Sequence, residues 1–159
     1  MRVHLGSDHA GFELKAHLVG WLRDQGHEPV DHGALAYDPD DDYPPYVLAA
    51  AAAVVADPGS LGIVLGGSGN GEAMAANKVR GVRAALVWNR RTAALAREHN
   101  DANVVSLGAR ELDPAQAVDL VATFLSTPFS AAPRHRRRIA ELTRFEESGQ
   151  LPPLPARPG

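Results

Sequence analysis

Short apolar runs alternate along the chain with longer stretches in which apolar residues recur every three or four positions. The short runs contain the β-branched residues that favour strands. They predict five strands, at residues 1–5, 27–31, 61–65, 83–87 and 103–107. The run at 61–65 (LGIVL) has no polar position, which is typical of a central parallel strand covered on both faces.

The longer stretches have the period of amphipathic helices. Between residues 12 and 25, apolar side chains fall at 14, 18, 21 and 22, and Gly26 follows as a stop signal. Asn89 and Asp113 stand where helix caps are expected, and Pro114 suits a first helical position. The predicted helices are 12–25, 46–56, 72–78, 89–100, 113–125 and 133–145, and residues 34–45 form a long acidic loop.

This alternation of strands and helices predicts an α/β fold. We expect a three-layer α/β/α arrangement in which a five-stranded parallel sheet carries helices on both faces. Ligands of such sheets bind at the carboxyl ends of the strands. The chemistry is therefore expected in the loops that follow strands, at residues 6–11, 31–46, 66–72, 88–89 and 108–111.

Composition narrows the class of protein. The chain has 159 residues, 45% of them hydrophobic, which predicts one folded domain at 1–145 and a proline-rich tail at 146–159. A net charge of −3 argues against a nucleic-acid partner. Since no apolar run approaches the length of a membrane span and no signal peptide is recognisable, we expect no membrane partner and a cytoplasmic location. The chain has no cysteine, which excludes disulfides, thiolate metal sites and a cysteine nucleophile.

The strongest local signal is the glycine loop at residues 66–71 (GGSGNG), between a predicted buried strand and a helix. Such a loop leaves backbone N–H groups free to point at an anion. The dinucleotide motif GxGxxG fails because Glu72 takes its last position, and Glu72-Ala73 replaces the Lys-Ser/Thr of a P-loop. N–H groups beside a carboxylate are suited instead to enolising a carbonyl compound, with Glu72 moving the proton. The alternative is a tight turn that places Glu72 favourably at a helix N-terminus.

Two further polar pairs are candidates for chemistry. Asp8 and His9 follow the first strand, where Asp8 could accept from a sugar hydroxyl and His9 could contact a phosphate or move a proton. The alternative for this pair is a helix cap and an exposed histidine. His99 and Asn100 end a predicted helix, where a structural role in satisfying the helix end competes with an acid–base role.

Charged runs give the last candidates. Arg134 and Arg138 lie four residues apart on one helix face and could clamp a phosphate monoester, with Arg110 as a further phosphate ligand. A solvated helix face or a nucleic-acid patch are the alternatives. The acidic run at 38–42 lacks the spacing of a calcium loop, so we expect a solvated loop and no metal.

Five segments together resemble one known family. They are GSDHAGFELK, DYPPY, GIVLGGSGNGEAMAANKVRGVRAAL, REHNDANVVSLGAR and RHRRRI. In this order they resemble ribose-5-phosphate isomerase type B over residues 3–139, and most closely its actinobacterial branch. The resemblance implies a cofactor-free aldose–ketose isomerase of the pentose phosphate pathway with a Rossmann-like sheet. It also implies a homodimer or a pair of dimers, with the active site at a subunit interface.

The resemblance assigns roles around the glycine loop. Many members use a cysteine at the position of Gly66 as the base, a role that this chain cannot fill. The branch without that cysteine uses a glutamate that matches Glu72. Ser68 matches a hydroxyl that assists proton transfer, and Tyr43 matches a residue near the site. The anion hole for the enediolate matches the amides of Gly67, Ser68, Gly69, Asn70 and Gly71.

The resemblance also assigns the outer contacts. Asp8 and His9 match residues that contact the sugar and its ring or phosphate end. His99 and Asn100 match residues from the partner subunit, with His99 implicated in opening the sugar ring. The phosphate contacts match Arg110, Arg134 and Arg138, with His135 beside them.

Two questions stay open at the level of the sequence. Desolvation would raise the pKa of Glu72 toward that of a useful base, whereas a helix N-terminus would lower it. The substrate could be ribose 5-phosphate or another phosphosugar, such as allose 6-phosphate, galactose 6-phosphate or a tetrose 4-phosphate. A non-catalytic phosphosugar-binding module is the alternative from another class, although such a module has no need of a proton shuttle.

Overall fold

A parallel sheet forms the middle of the computed structural model, which describes residues 1–154. In this part of the chain the five strands are hydrogen-bonded in the order β2-β1-β3-β5-β4. They are β1 (Arg2–Ser7), β2 (Glu28–Asp31), β3 (Leu61–Gly66), β4 (Ala84–Leu86) and β5 (Val104–Gly108). All pairings are parallel, as predicted.

Helices cover both faces of the sheet. They are α1 (Phe12–Asp24), α2 (Tyr43–Ala56), α3 (Asn70–Ala76), α4 (Arg90–Asn100), α5 (Pro114–Ser126) and α6 (Pro133–Ser148). One apolar core joins the sheet to α1, α4 and α5, and a second joins it to α2 and α3. Ile63 of β3 lies in the first core and Val64 in the second, so the predicted two-sided burial of this strand is confirmed.

Helix starts follow the local sequence signals. Asn89 caps α4 by accepting from the N–H of Thr92, and Thr92 bonds back to Asn89. Asp113 caps α5 in the same reciprocal way with Gln116, and Pro114 occupies the first turn. The caps at Asn89 and Asp113, which the sequence predicts, need no tertiary contact, and the structure adds the reciprocal bond of a capping box to each.

Several element boundaries differ from the prediction. Helix α2 begins at Tyr43 instead of residue 46, because Pro44 and Pro45 lie in its first turn, where the missing N–H costs no hydrogen bond. Helix α3 begins inside the glycine loop, after Gly69 takes a left-handed conformation with φ of 79°. Helix α6 continues to Ser148, three residues beyond the predicted end, and Gly149 terminates it.

The C-terminal tail is described only in part. Residues 150–154 are exposed and form no helix or strand, and residues 155–159 of the predicted tail lie outside the described residues. Within residues 1–154 no helix is long and apolar enough to cross a membrane.

The strand order creates a crevice at one edge of the sheet. From β1 the chain moves outward to β2 on one side, whereas β3 lies on the other side of β1. The loops that follow β1 and β3 therefore separate at the carboxyl ends of the strands. Open α/β sheets bind ligands at such a point.

Candidate active site

The glycine loop connects β3 to α3 at this edge. Gly69 packs so closely on β5 that an added Cβ would lie 2.9 Å from the carbonyl carbon of Leu107. The hydroxyl of Ser106 in β5 also donates to the carbonyl of Gly69 over 2.6 Å. The N–H groups of Gly67 and Ser68 donate to no partner among residues 1–154. The loop is thus held rigidly, with backbone donors available to an anion, as the sequence predicted.

Glu72 lies in the first turn of α3 with its side chain directed inward. The residue is 4% exposed. Its carboxylate occupies the space above Gly66, where an added Cβ would overlap it. Glycine at position 66 therefore provides the room for this carboxylate. Many members of the resembled family carry a cysteine at position 66. In this chain the Glu72 carboxylate occupies the space that a side chain at position 66 would fill.

Burial decides the direction in which the pKa of Glu72 shifts. Desolvation raises the pKa of this carboxyl group, and the negative charge of Asp8 raises it further. Hydrogen bonds from the N–H groups of Glu72 and Gly69 act in the opposite direction and only reduce the increase in pKa. The effect of burial on the pKa of Glu72 is therefore larger than the opposite effect of the helix N-terminus. A carboxylate whose pKa is shifted toward neutrality is a better general base.

Tyr43 contacts the glycine loop from the start of α2. A Cβ at Gly71 would lie 2.7 Å from the Tyr43 hydroxyl and from the ring carbon that carries it. The phenol therefore lies directly against the loop. Position 71 must be glycine for this approach, which places Tyr43 beside the glycine loop.

Asp8 and His9 lie on the loop after β1. Asp8 is buried and its side chain caps a single turn of 3-10 helix by accepting from the N–H of Ala10 over 3.0 Å. The capping role considered from the sequence is therefore present, and the Asp8 charge also acts on Glu72. His9 begins the 3-10 turn and is hydrogen-bonded to Asp41.

Asp41 is the residue that sequence reasoning missed. The sequence predicts that the acidic run is solvated, and Asp38, Asp40 and Asp42 are indeed exposed. The side chain of Asp41, however, is only 7% exposed. One ligand atom from each of Asp8, His9 and Asp41 lies within 4.8 Å of the others, a spacing at which they could share a cation. No sequence signal distinguishes Asp41 from its acidic neighbours.

Arg110 completes this group from the loop after β5. Its guanidinium lies over Gly67, where an added Cβ would be 3.3 Å from Nη1. We refer to these residues as the carboxyl-edge cluster, which comprises Asp8, His9, Tyr43, residues 66–72 and Arg110.

The other predicted site residues lie at the opposite edge of the sheet. Helix α4 runs back from the end of β4, so His99 and Asn100 are beside the starts of the strands. Arg83, just before β4, donates to the carbonyl of Asn100 over 2.9 Å. His99 stacks on His135 with ring centroids 4.2 Å apart. The amino-edge cluster comprises His99, Asn100, Arg134, His135 and Arg138.

His135 forms the centre of the amino-edge cluster. It is 3% exposed and lies in the first turn of α6. Arg134 donates from Nε to its Nε2 over 3.2 Å, and its Nδ1 is 2.7 Å from the Ser130 hydroxyl. Because a guanidinium can only donate, Nε2 is the unprotonated nitrogen and Nδ1–H donates to Ser130. Burial lowers the pKa of His135, and the neighbouring His99, Arg134 and Arg138 lower it further, which favours the neutral ring.

A single chain does not unite the two clusters. Strand β5 has five residues and runs from the amino edge to the carboxyl edge, a distance of about 16 Å. The carboxylate of Glu72 and the imidazole of His99 therefore belong to separate regions of the same molecule. Each cluster holds part of the chemistry predicted for one site.

The fold and the carboxyl-edge cluster define a Rossmann-like α/β protein equipped for proton transfer beside an anion site. The chain belongs to the ribose/galactose isomerase family, whose model matches residues 3–142. The family resemblance seen in the sequence is thus confirmed.

Relatives and solved structures agree with this assignment. The chain is 57% identical to ribose-5-phosphate isomerase B of Mycobacterium tuberculosis, over 99% of this chain and 98% of the relative. It is 56% identical to the Mycobacterium leprae protein of the same name, over 98% and 96% of the two chains. Ribose-5-phosphate isomerase B from Mycoplasma genitalium with bound ribulose-5-phosphate superposes with a TM-score of 0.89 at 38% identity, covering 92% of this chain and 97% of that one. The Clostridium thermocellum enzyme gives a TM-score of 0.90 at 38% identity, with coverages of 94% and 100%.

Proposed function

We propose that this chain interconverts D-ribose 5-phosphate and D-ribulose 5-phosphate through a cis-enediolate, with Glu72 as the base. The observation that carries the proposal is the buried Glu72 carboxylate, which lies above Gly66 beside the free N–H groups of Gly67 and Ser68. The names of the mycobacterial relatives and the ribulose-5-phosphate bound to the Mycoplasma genitalium neighbour support this choice of substrate.

The geometry supports a specific sequence of proton movements. Glu72 takes the C2 proton of the open-chain aldose, the C2–H electron pair forms the C1=C2 bond, and the carbonyl electrons move to O1. The free backbone N–H groups of Gly67 and Ser68 stabilise the resulting oxyanion. A proton moves from O2 to O1 with the help of the Ser68 hydroxyl. Glu72 then returns its proton to C1 as the ketone forms at C2.

Two copies of the chain would supply the complete site. The amino-edge cluster carries His99, which we assign to opening the sugar ring, with Asn100 beside it. It also carries Arg134 and Arg138, which we assign with Arg110 to the phosphate. The residues of the amino-edge cluster cannot reach Glu72 of their own chain. We therefore propose a homodimer, or a pair of dimers. Each site would combine the carboxyl-edge cluster of one subunit with the amino-edge cluster of the other.

We also place the enzyme in the cytoplasm. Its proposed substrate carries a phosphate, and the cost of moving that charge through an apolar layer keeps the sugar inside the compartment where it is phosphorylated.

A direct assay of ketose formation tests the base. Metal-free protein with ribose 5-phosphate should show turnover, and Glu72→Gln should reduce kcat by about 10²-fold or more while binding of the phosphosugar persists. Glu13→Gln, which alters an exposed carboxylate on α1, is the matched control and should leave turnover unchanged. Retained turnover in Glu72→Gln would exclude it as the base. A wild-type protein that turns over only a four- or six-carbon phosphosugar would overturn the substrate assignment.

Mixed dimers test the shared site. Inactive Glu72→Gln and His99→Ala chains, when combined, should regain partial activity, because one of the two sites in a mixed dimer then has both intact clusters. Mass spectrometry of the intact assembly verifies the mixing. An absence of recovery in verified mixed dimers would mean that each site is built within one chain.

A further inference from the structure

The Asp41 side chain is an unusual feature of the loop between β2 and α2. It is buried among exposed neighbours, with 7% of the side chain accessible. Its Oδ1 atom lies 2.8 Å from the backbone nitrogen of His9 and 2.8 Å from Nδ1 of the same residue. Its Oδ2 atom is buried and has no hydrogen-bond partner within residues 1–154. A buried carboxylate is costly unless it is paired, and the contact with His9 stabilises it here.

The loop that carries Asp41 is fixed to the sheet. The N–H of Ala34 donates to the carbonyl of Ser7 over 2.6 Å. The N–H of Ser7 donates to the carbonyl of Gly33 over 2.9 Å. The buried Lys15 of α1 donates to the carbonyl of Ala34 over 2.7 Å and pairs with Asp31. The start of this loop is therefore tied to the end of β1, one residue before Asp8 and two before His9, and the Asp41–His9 contact ties its later part to the loop after β1.

The contact determines which nitrogen of His9 carries hydrogen. A carboxylate oxygen can only accept, so both the backbone N–H and Nδ1–H of His9 donate to Asp41. Nδ1 keeps its hydrogen in the neutral and in the charged ring, and Nε2 is the atom that gains or loses a proton. Nε2 has no hydrogen-bond partner within the described chain and lies on the side of the ring away from Asp41.

We propose that Asp41 is a positioning residue that holds the His9 imidazole with Nε2 presented to the substrate, where the protonated ring donates a hydrogen bond to an oxygen of the phosphosugar. This role rests on the proposed function, because the ligand of Nε2 is the substrate of the isomerisation. Asp41 itself touches no reacting atom and acts through His9.

The charges around His9 agree with this role. The hydrogen bond to Asp41 raises the pKa of His9 against the effect of desolvation, and the negative charge of Asp8 adds to the increase. Burial alone would raise the pKa of Asp41, but the hydrogen bonds from the N–H and ring of His9 lower it, and the Tyr46 hydroxyl lowers it further. The other titratable groups here are Tyr37, whose ring centroid is 6.4 Å from that of His9, and Tyr46 of α2 with Asp38 nearby. Tyrosines are neutral at neutral pH, so carboxylates dominate and favour the imidazolium.

Asp41→Asn is the informative variant, since it keeps the shape and removes the charge. NMR titration of the His9 ring should show Nδ1 protonated throughout the titration in the wild type and a lower His9 pKa in the variant. The kcat/KM of isomerisation should fall about tenfold, the scale of one lost charge-assisted hydrogen bond. Its decline on the alkaline side should begin at lower pH, because His9 loses its proton earlier. The matched control Asp40→Asn changes an exposed neighbour and should move none of these quantities.

A double-mutant cycle separates positioning from general damage to the fold. If Asp41 acts through His9, adding Asp41→Asn to His9→Ala should cause no further loss of kcat/KM. An equal loss in both backgrounds would overturn the proposal, as would an unchanged His9 pKa in a folded Asp41→Asn variant. The NMR measurement needs no substrate, so it still tests the pairing if ribose 5-phosphate proves not to be the substrate.

Discussion

The two clusters differ in how deeply the fold buries their charged groups. In the carboxyl-edge cluster, the carboxylates of Glu72 and Asp8 are buried and held by loops that the sheet makes rigid. In the amino-edge cluster, Arg134 and Arg138 are exposed on the first turns of α6, and only the neutral His135 is buried between them and α4. The carboxyl-edge cluster thus shields its carboxylates from water although its Arg110 is exposed, and the amino-edge cluster leaves its arginines in water.

This difference follows from the chemistry proposed for each region. A carboxylate that takes a proton from carbon needs a raised pKa, and desolvation within the chain supplies it before any substrate binds. Arginines that bind a phosphate need no change in pKa, since guanidinium remains charged in either environment. In the proposed dimer they lose water only when substrate and a second subunit cover them. Under this proposal, proton transfer is prepared within one chain, whereas phosphate recognition is completed by assembly.

The largest effect expected from breaking this arrangement comes from Gly66→Ala. The new methyl group would overlap the Glu72 carboxylate and displace it from its seat. We expect kcat to fall by about 10²-fold or more, the usual contribution of a positioned base. Gly20→Ala, at a glycine with nothing within 4 Å of an added Cβ, is the control and should leave kcat unchanged. Steady-state kinetics of the two variants measure this difference in kcat. A fully active Gly66→Ala variant would show that Gly66 is not needed to accommodate the Glu72 carboxylate.

Arg134→Ala and Arg138→Ala probe the exposed region. Each should raise KM by about tenfold while changing kcat less, because the phosphate is remote from the reacting carbons. Arg144→Ala removes an exposed arginine farther along α6 and should leave KM unchanged. An unaltered KM in both test variants would exclude this pair from the phosphate site.

His135→Leu sharpens the comparison on a smaller scale. Loss of the Nε2 acceptor would free the Arg134 side chain, and we expect KM to rise by about three- to fivefold. His135→Gln, which can still accept from Arg134, should restore part of the affinity. His17→Leu on the surface of α1 is the control for removal of a histidine. Equal KM values for the leucine and glutamine variants would contradict a role through Arg134.

The smallest effect is on stability. Because burial raises the pKa of Glu72 in the folded state, its contribution favours folding at low pH and is lost as pH rises through that pKa. Glu72→Gln, which has no charge to bury, should therefore have a Tm a few degrees above the wild type at pH 7, with the gap closing near pH 4. Thermal unfolding at both pH values measures this, and a lower Tm at pH 7 would mean that the ionised carboxylate is stabilised by its surroundings.

Local features of the fold could be predicted from the sequence. The capping boxes at Asn89 and Asp113 depend on residues three positions apart, and the two-sided burial of β3 follows from its lack of polar positions. The strand–helix alternation also predicts that the glycine loop, Asp8 and His9 meet at one edge of the sheet. Each of these depends on neighbours in the chain or on the general direction of parallel strands.

The sequence by itself determined which residues could carry the chemistry, and only the tertiary structure decided their state. Four aspartates between 38 and 42 are alike in the sequence, yet the fold buries Asp41 alone against His9. The sequence also could not predict the direction of the Glu72 pKa shift or the stacking of His99 on His135. Desolvation and contacts between distant segments set these properties, because both depend on which atoms surround a group in space and not on its neighbours along the chain.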